Sequence, residues 1–152
     1  MVEIIIKNRA QARRDSYEPT DKTIGIISIN TPCDELNRFN RCSSIRKVLF
    51  LIFDDVEYEG QERGLFMTNS DAEKVKEFVL WAQKANIDEL WVHCDAGVSR
   101  SAGVGAAIMQ YLYGDDSPIF GNHNYFPNMW CYHKTLNALK GDVDGKDKRG
   151  IT

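Results

Sequence analysis

Apolar residues follow two rhythms along this chain. Four short runs, VEIIIK (2–7), TIGIISI (23–29), KVLFLIF (47–53) and ELWVHC (89–94), are rich in Val, Ile, Leu and aromatics. Their apolarity is continuous rather than alternating, which predicts strands covered on both faces. Between the runs the spacing changes to helical. In NSDAEKVKEFVLWAQKAN (69–86), Val75, Phe78, Val79 and Ala82 share one helical face, and Ser70 with Glu73 reads as a capping box. SRSAGVGAAIMQYLYG (99–114) predicts a helix ending at Gly114. PNMWCYHKTLNALKG (127–141) predicts another, with Pro127 in its first turn and Gly141 at its end. A shorter helix is expected around RAQARRDSY (9–17), opened at the surface by Arg9. Met129, Tyr132, Leu136 and Leu139 are expected in the core. Gly103 and Gly105 are expected to let their helix approach the sheet.

Strands alternating with helices predict an α/β domain, with a mostly parallel central sheet of about four to five strands flanked by helices. That domain spans 1–141. DVDGKDKRGIT (142–152) has no apolar periodicity and reads as a flexible tail.

The length of 152 residues suits one core. The net charge of −3 comes without any block of Lys and Arg, which argues against nucleic-acid and membrane partners. The apolar run of MVEIIIKN is too short for a signal peptide, and no segment approaches the roughly 20 apolar residues of a membrane span. A soluble, cytoplasmic, monomeric protein is expected. Cys33, Cys42, Cys94 and Cys131 form no CxxC pair, so free thiols are expected. Cys131, His133, His123 and Cys33 could be combined into a zinc site, but their spacing fits no common zinc pattern. Neither a metal nor a cofactor is expected.

The chemistry concentrates in HCDAGVSRS (93–101). A strand ends there and a helix begins near Ser99, so Cys94 to Arg100 form a strand-to-helix loop. In a parallel α/β sheet that is where ligands bind, beside helix N–H groups without intrahelical partners. Gly97 permits a tight turn in which the amides of Asp95, Ala96, Gly97, Val98 and Ser99 converge on an anion. Arg100 can add a bidentate grip on phosphate oxygens. The same field favours a thiolate at Cys94.

A second candidate group lies in FDDV (53–56). Counting in twos from Leu49 through Leu51 and Phe53 puts Asp55 in the inward phase and Asp54 out of it. Glu57 and Glu59 follow on the stretch 56–70.

His93-Cys94, five residues, then Arg100-Ser101 resembles the active-site signature of cysteine-dependent protein tyrosine phosphatases, particularly their compact dual-specificity-like bacterial and viral members. NRA after the first strand, ISINTP, FDDV and FPN look like further matching blocks, so the resemblance covers most of residues 2 to 140. It implies metal-independent hydrolysis of phosphotyrosine, or also phosphoserine and phosphothreonine, in proteins or peptides. Cys94 would attack phosphorus and form a phosphocysteine, while Arg100 and the loop amides bind the equatorial oxygens. Ser101 would stabilise the departing thiolate, and His93 would hold the loop. The apolar–x–Asp pattern of the family also makes Asp55 the general acid, although the 39 positions from Asp55 to Cys94 exceed the family's usual separation. Two other classes remain open: a catalytically silent phosphate-binding module, and a phosphatase for small-molecule or lipid esters. The acidic Asp95 within the loop disfavours polyanionic substrates. Asn128 is expected either to brace the loop or to serve its own helix start.

Overall fold

The computed structural model of the chain describes residues 1–57 and 65–141. The tail 142–152, Glu59 and half of the stretch 56–70 lie outside the described residues. In chain order the elements are β1 (Glu3–Lys7), α1 (Arg9–Asp15), β2 (Ile24–Asn30), β3 (Ile45–Ile52), α2 (Asn69–Lys84), β4 (Glu89–His93), α3 (Arg100–Tyr113), α4 (Ser117–Phe120) and α5 (Met129–Lys140). The strands build a parallel sheet in the order β1-β4-β2-β3. Because they run the same way, their C-terminal ends at Lys7, His93, Asn30 and Ile52 gather along one rim, where ligands of α/β sheets bind.

The apolar runs behave differently at the centre and the edge. β2, with neighbours on both sides, is buried along its whole length. β3 is an edge strand, and Arg46, Lys47, Phe50 and Ile52 stay exposed, so cover on both faces does not extend to it. The larger core lies on the face carrying Ile27, Ile29, Leu51, Leu90 and Val92, packed by Val75, Phe78 and Val79 of α2 and by residues of α3 and α5. The opposite face holds Ile24, Ile26 and Trp91, supported by Phe39 from the non-helical segment between β2 and β3.

Gly114 and Gly141 end α3 and α5 in the left-handed conformation, as their positions predict. Two helix starts differ. The cap of α2 is Thr68, whose hydroxyl accepts from the Asp71 amide while Asp71 reaches back, so the capping box lies two residues before Ser70 and Glu73. The fully buried Met67 anchors the chain just ahead of this turn and sets its frame. Pro127 lies outside α5, whose cap is Asn128. Met129 is exposed rather than core, whereas Leu136 and Leu139 are buried and Tyr132 is half-buried.

Only one of the two helical glycines faces the sheet. A Cβ at Gly105 would lie 2.3 Å from Ile6 Cδ1 of β1. A Cβ at Gly103 would lie 2.4 Å from the Asn128 carbonyl oxygen, so Gly103 seats the start of α5 instead.

Candidate active site

β4 runs between β1 and β2 and delivers Cys94 to the C-terminal rim. The thiol is 2% exposed, and its Sγ lies 3.1 Å from Ser101 Oγ in the first turn of α3. Between them residues 95–99 fold back sharply. Gly97 adopts φ +70, and a Cβ there would stand 2.8 Å from backbone atoms of Lys7 and Asn8. Glycine is required at this position, because an L side chain would meet both conformational strain and a wall of backbone.

The neighbours of the loop hold it by its carbonyls. Arg9 N–H donates to Asp95 O at 3.1 Å, Phe126 N–H to Val98 O at 2.9 Å, and Asn128 N–H to Ser99 O at 2.9 Å. Turning these carbonyls outward leaves the amides of Asp95 to Ser99 with no acceptor among the described residues. Unpaired N–H groups in a tight loop at the start of α3 form an anion cradle.

Arg100 is 6% exposed and tightly placed. Its NH1 donates to Phe53 O at 2.8 Å and to Thr31 Oγ1 at 3.0 Å, and its NH2 donates to Asp95 Oδ2 at 3.0 Å. The same Asp95 oxygen accepts from Thr31 Oγ1 at 2.6 Å. Burial alone would raise the Asp95 pKa, but the Thr31 hydroxyl and the Arg100 guanidinium outweigh it and hold the carboxyl below its ordinary value. Asp95 therefore brings a charged side chain to the loop as well as the expected amide. Thr31, at the end of ISINT, is a site residue that sequence reasoning missed; its signal was its place just beyond a buried strand.

Beneath the loop, His93 is fully buried. Nδ1 lies 3.0 Å from the Cys94 carbonyl and can only donate there. Nε2 therefore accepts, from Ser28 Oγ at 2.6 Å and Asn37 Nδ2 at 3.3 Å. Burial, reinforced by the charges of Arg9 and Arg100, lowers the His93 pKa despite the Cys94 carbonyl and Asp95. A neutral, tautomerically fixed imidazole supports the loop. Asn30 and Asn37 extend the network: Asn30 Oδ1 accepts from Arg9 NH1 at 2.9 Å and from the Asn37 amide at 3.0 Å. Arg9 thus ties α1, β2 and the loop together and is more than a surface helix start.

Across the cradle, Asp55 Oδ1 accepts from Ser99 Oγ at 2.8 Å and from Asn128 Nδ2 at 2.7 Å. Asp54 points elsewhere, its Oδ2 accepting from the Leu65 amide at 2.8 Å. The period-two count puts Asp55 inward, but β3 ends at Ile52 and Asp55 is exposed; its contacts with Ser99 and Asn128 are what bring it beside the loop. Asn128 caps α5 through the Cys131 amide and braces the loop through its own N–H to Ser99 O; its Nδ2 in addition holds Asp55 and Val56 O.

The geometry brings together Cys94, Asp95, Ala96, Gly97, Val98, Ser99, Arg100, Ser101, His93 and Asp55. Cys131 is buried next to the site, near enough to feel the charges of Asp55 and Arg100, whereas Cys33 is exposed; no group of three or more His, Cys, Asp or Glu among the described residues could hold a metal ion. Burial drives the Cys131 thiol pKa strongly upward. Among the described residues no helix is long and apolar enough to cross a membrane.

No family model matches the chain, and no curated protein matches it by sequence. Solved structures do. A human tyrosine phosphatase-like serine/threonine/tyrosine-interacting protein superposes with a TM-score of 0.64 at 18% identity, over 91% of each chain. Human DUSP28 gives a TM-score of 0.58 at 14% identity, over 91% of this chain and 92% of its own. PTPMT1 in complex with PI(5)P gives 0.55 at 17% identity, over 91% of both chains. The chain has the fold of dual-specificity phosphatases across nearly its whole described length.

Proposed function

We propose that the protein hydrolyses phosphomonoesters, with phosphotyrosine in proteins or peptides as the substrate class and phosphoserine or phosphothreonine as the alternative. One observation carries the reading. The amides of residues 95–99 have no acceptor among the described residues, in a loop that runs from the Cys94 thiol to the Arg100 guanidinium. A phosphoryl group held by these amides would have the Cys94 sulfur as its nearest nucleophile.

In the first step the Cys94 thiolate attacks phosphorus. The S–P bond forms, the bond from phosphorus to the ester oxygen breaks, and Asp55 passes its proton to the leaving oxygen. Asp55 Oδ1 is occupied by Ser99 and Asn128, so Oδ2 carries that proton. In the second step water attacks phosphorus, Asp55 takes a proton from it, and the S–P bond breaks. Inorganic phosphate leaves with the thiolate restored, and the Ser101 hydroxyl donates to the sulfur as charge returns to it. No step in this scheme uses a metal or cofactor.

Lipid esters are the second reading, because one structural neighbour was determined with PI(5)P. The Asp95 carboxylate within the loop, half of its side chain open to solvent, repels the additional phosphates of such headgroups and favours the single dianion of a protein monoester. A catalytically silent binding module would need neither Cys94 nor an acid at Asp55.

The test is Cys94→Ser. Turnover of phosphotyrosine peptides and aryl phosphates, in the presence of chelator, is expected to vanish while vanadate or phosphate binding by calorimetry persists. Undiminished turnover in the variant overturns the mechanism. A wild-type rate that disappears with chelator overturns its metal independence.

A further inference from the structure

Next to the His93 network, which Asn37 and Phe39 join to it, lies a groove of about 890 Å³ between residues 37–43 and β3. Its lining includes Lys47 and Val48. These side chains leave opposite faces of the strand, since Lys47 sits 5.1 Å over the Trp81 ring while Val48 joins the Ile24, Ile26 and Trp91 cluster. The groove therefore follows the outer edge of β3, which among the described residues has a strand neighbour on one side only. Phe39 and Phe50, with ring centroids 6.4 Å apart, and Val48 give it an apolar floor. Phe50 is 41% exposed.

Its charge runs against that of the chain. Arg38, Arg41, Arg46 and Lys47 line the groove and no Asp or Glu does, although the protein carries a net −3. Arg38 pairs with Glu35 outside the groove. Among the described residues Arg46 donates to the Ser43 carbonyl, and neither Arg46 nor Arg41 makes an ion pair.

We propose that this groove docks an extended, acidic segment of a partner protein that carries an aromatic or aliphatic side chain. An unpaired strand edge offers main-chain hydrogen bonds to an added strand. Alternate side chains of such a strand would meet the Phe39–Phe50 floor, and its carboxylates would meet Arg41 and Arg46. A membrane surface fits less well, because the negative chain as a whole is repelled by anionic lipid. The groove is separate from the phosphate cradle, so its occupant need not be phosphorylated.

An array of short, random, unphosphorylated peptides tests this, probed with the labelled full chain and with the double variant Arg41→Glu/Arg46→Glu, both confirmed folded by circular dichroism. Bound peptides are expected to be enriched in Asp and Glu together with Phe, Leu or Val. Their binding should weaken with added salt and fall roughly tenfold or more in the double variant. Should that variant fail to fold, Phe50→Ser keeps both arginines and is expected to lose the aromatic preference while retaining the acidic one. The proposal is overturned if no acidic enrichment appears or if the variant binds the same peptides equally. It is also overturned if Arg41 and Arg46 instead govern binding to phosphatidylserine vesicles or self-association in sedimentation.

Discussion

Replacing Asp55 by Asn separates a catalytic role from a structural one. The Asn side chain keeps an oxygen where Asp55 Oδ1 accepts from Ser99 at 2.8 Å and Asn128 at 2.7 Å, so both hydrogen bonds can survive. What changes is charge. Two charge-assisted bonds become neutral ones, and each weakens by about 1 kcal/mol at most. Because Asp55 is exposed, solvent already screens that difference, and a total of about 1 kcal/mol or less is expected. For a chain of this size that is a fall in Tm of roughly 2–5 °C. An acid proposed at this position, by contrast, is lost altogether, and a fall of roughly the 10²–10⁴-fold typical of general acid catalysis is expected. Rates should be measured on phosphotyrosine and on an aryl phosphate with a strongly acidic leaving group, with melting curves on the same samples. The loss should be large for the first substrate and small for the second, whose leaving group departs without a proton. Asp54→Asn, whose contact is the Leu65 amide, should change the rate on either substrate by less than about tenfold. The reasoning is refuted if Asp54→Asn shows the leaving-group-dependent loss, or if Asp55→Asn slows both substrates equally.

Two further outcomes follow from the geometry. Gly97→Ala would force a side chain into a left-handed conformation against Lys7 and Asn8 backbone atoms 2.8 Å away; a loss of about 2–3 kcal/mol in chemical denaturation and of oxyanion binding is expected, and wild-type affinity would contradict the packing. His93 titrates lower in the native state than in the unfolded chain, so the unfolded chain binds more protons as acid is added. Its contribution is complete above the ordinary histidine value of about 6.5 and is lost as pH falls through the lower native value. Melting temperature should drop on acidification over this window, and His93→Asn should flatten that drop.

Much of this site was legible because it is local. Cys94, Gly97, Arg100 and Ser101 belong to one short stretch of loop and helix start, and Asp55 lies two residues beyond the buried Phe53. Gly114 and Gly141 mark helix ends through backbone preference alone. The contacts that were not legible cross the sheet. Ser28 meets His93 over 65 positions and Thr31 meets Asp95 over 64, and both depend on β2 lying beside β4 rather than beside β1. Strand order is decided by packing, and no spacing along the chain encodes it. The start of α2 shows a subtler limit. Thr68 with Asp71 and Ser70 with Glu73 both satisfy the capping pattern, and the burial of Met67 selects the first.

The carbonyl contacts that hold the loop bear on the order in which the molecule assembles. Arg9 grips it from the end of β1, while Phe126 and Asn128 grip it from the approach to α5. These anchors are separated by most of the described chain, and each must be in place before the amides can face inward. Closing so long a loop is entropically slow, so the cradle belongs to the last stage of folding, after helices and sheet have formed. In a refolding experiment, far-ultraviolet dichroism should recover first, with oxyanion binding and turnover trailing it together. Oxyanion binding then serves as a clock for the meeting of distant parts of the chain.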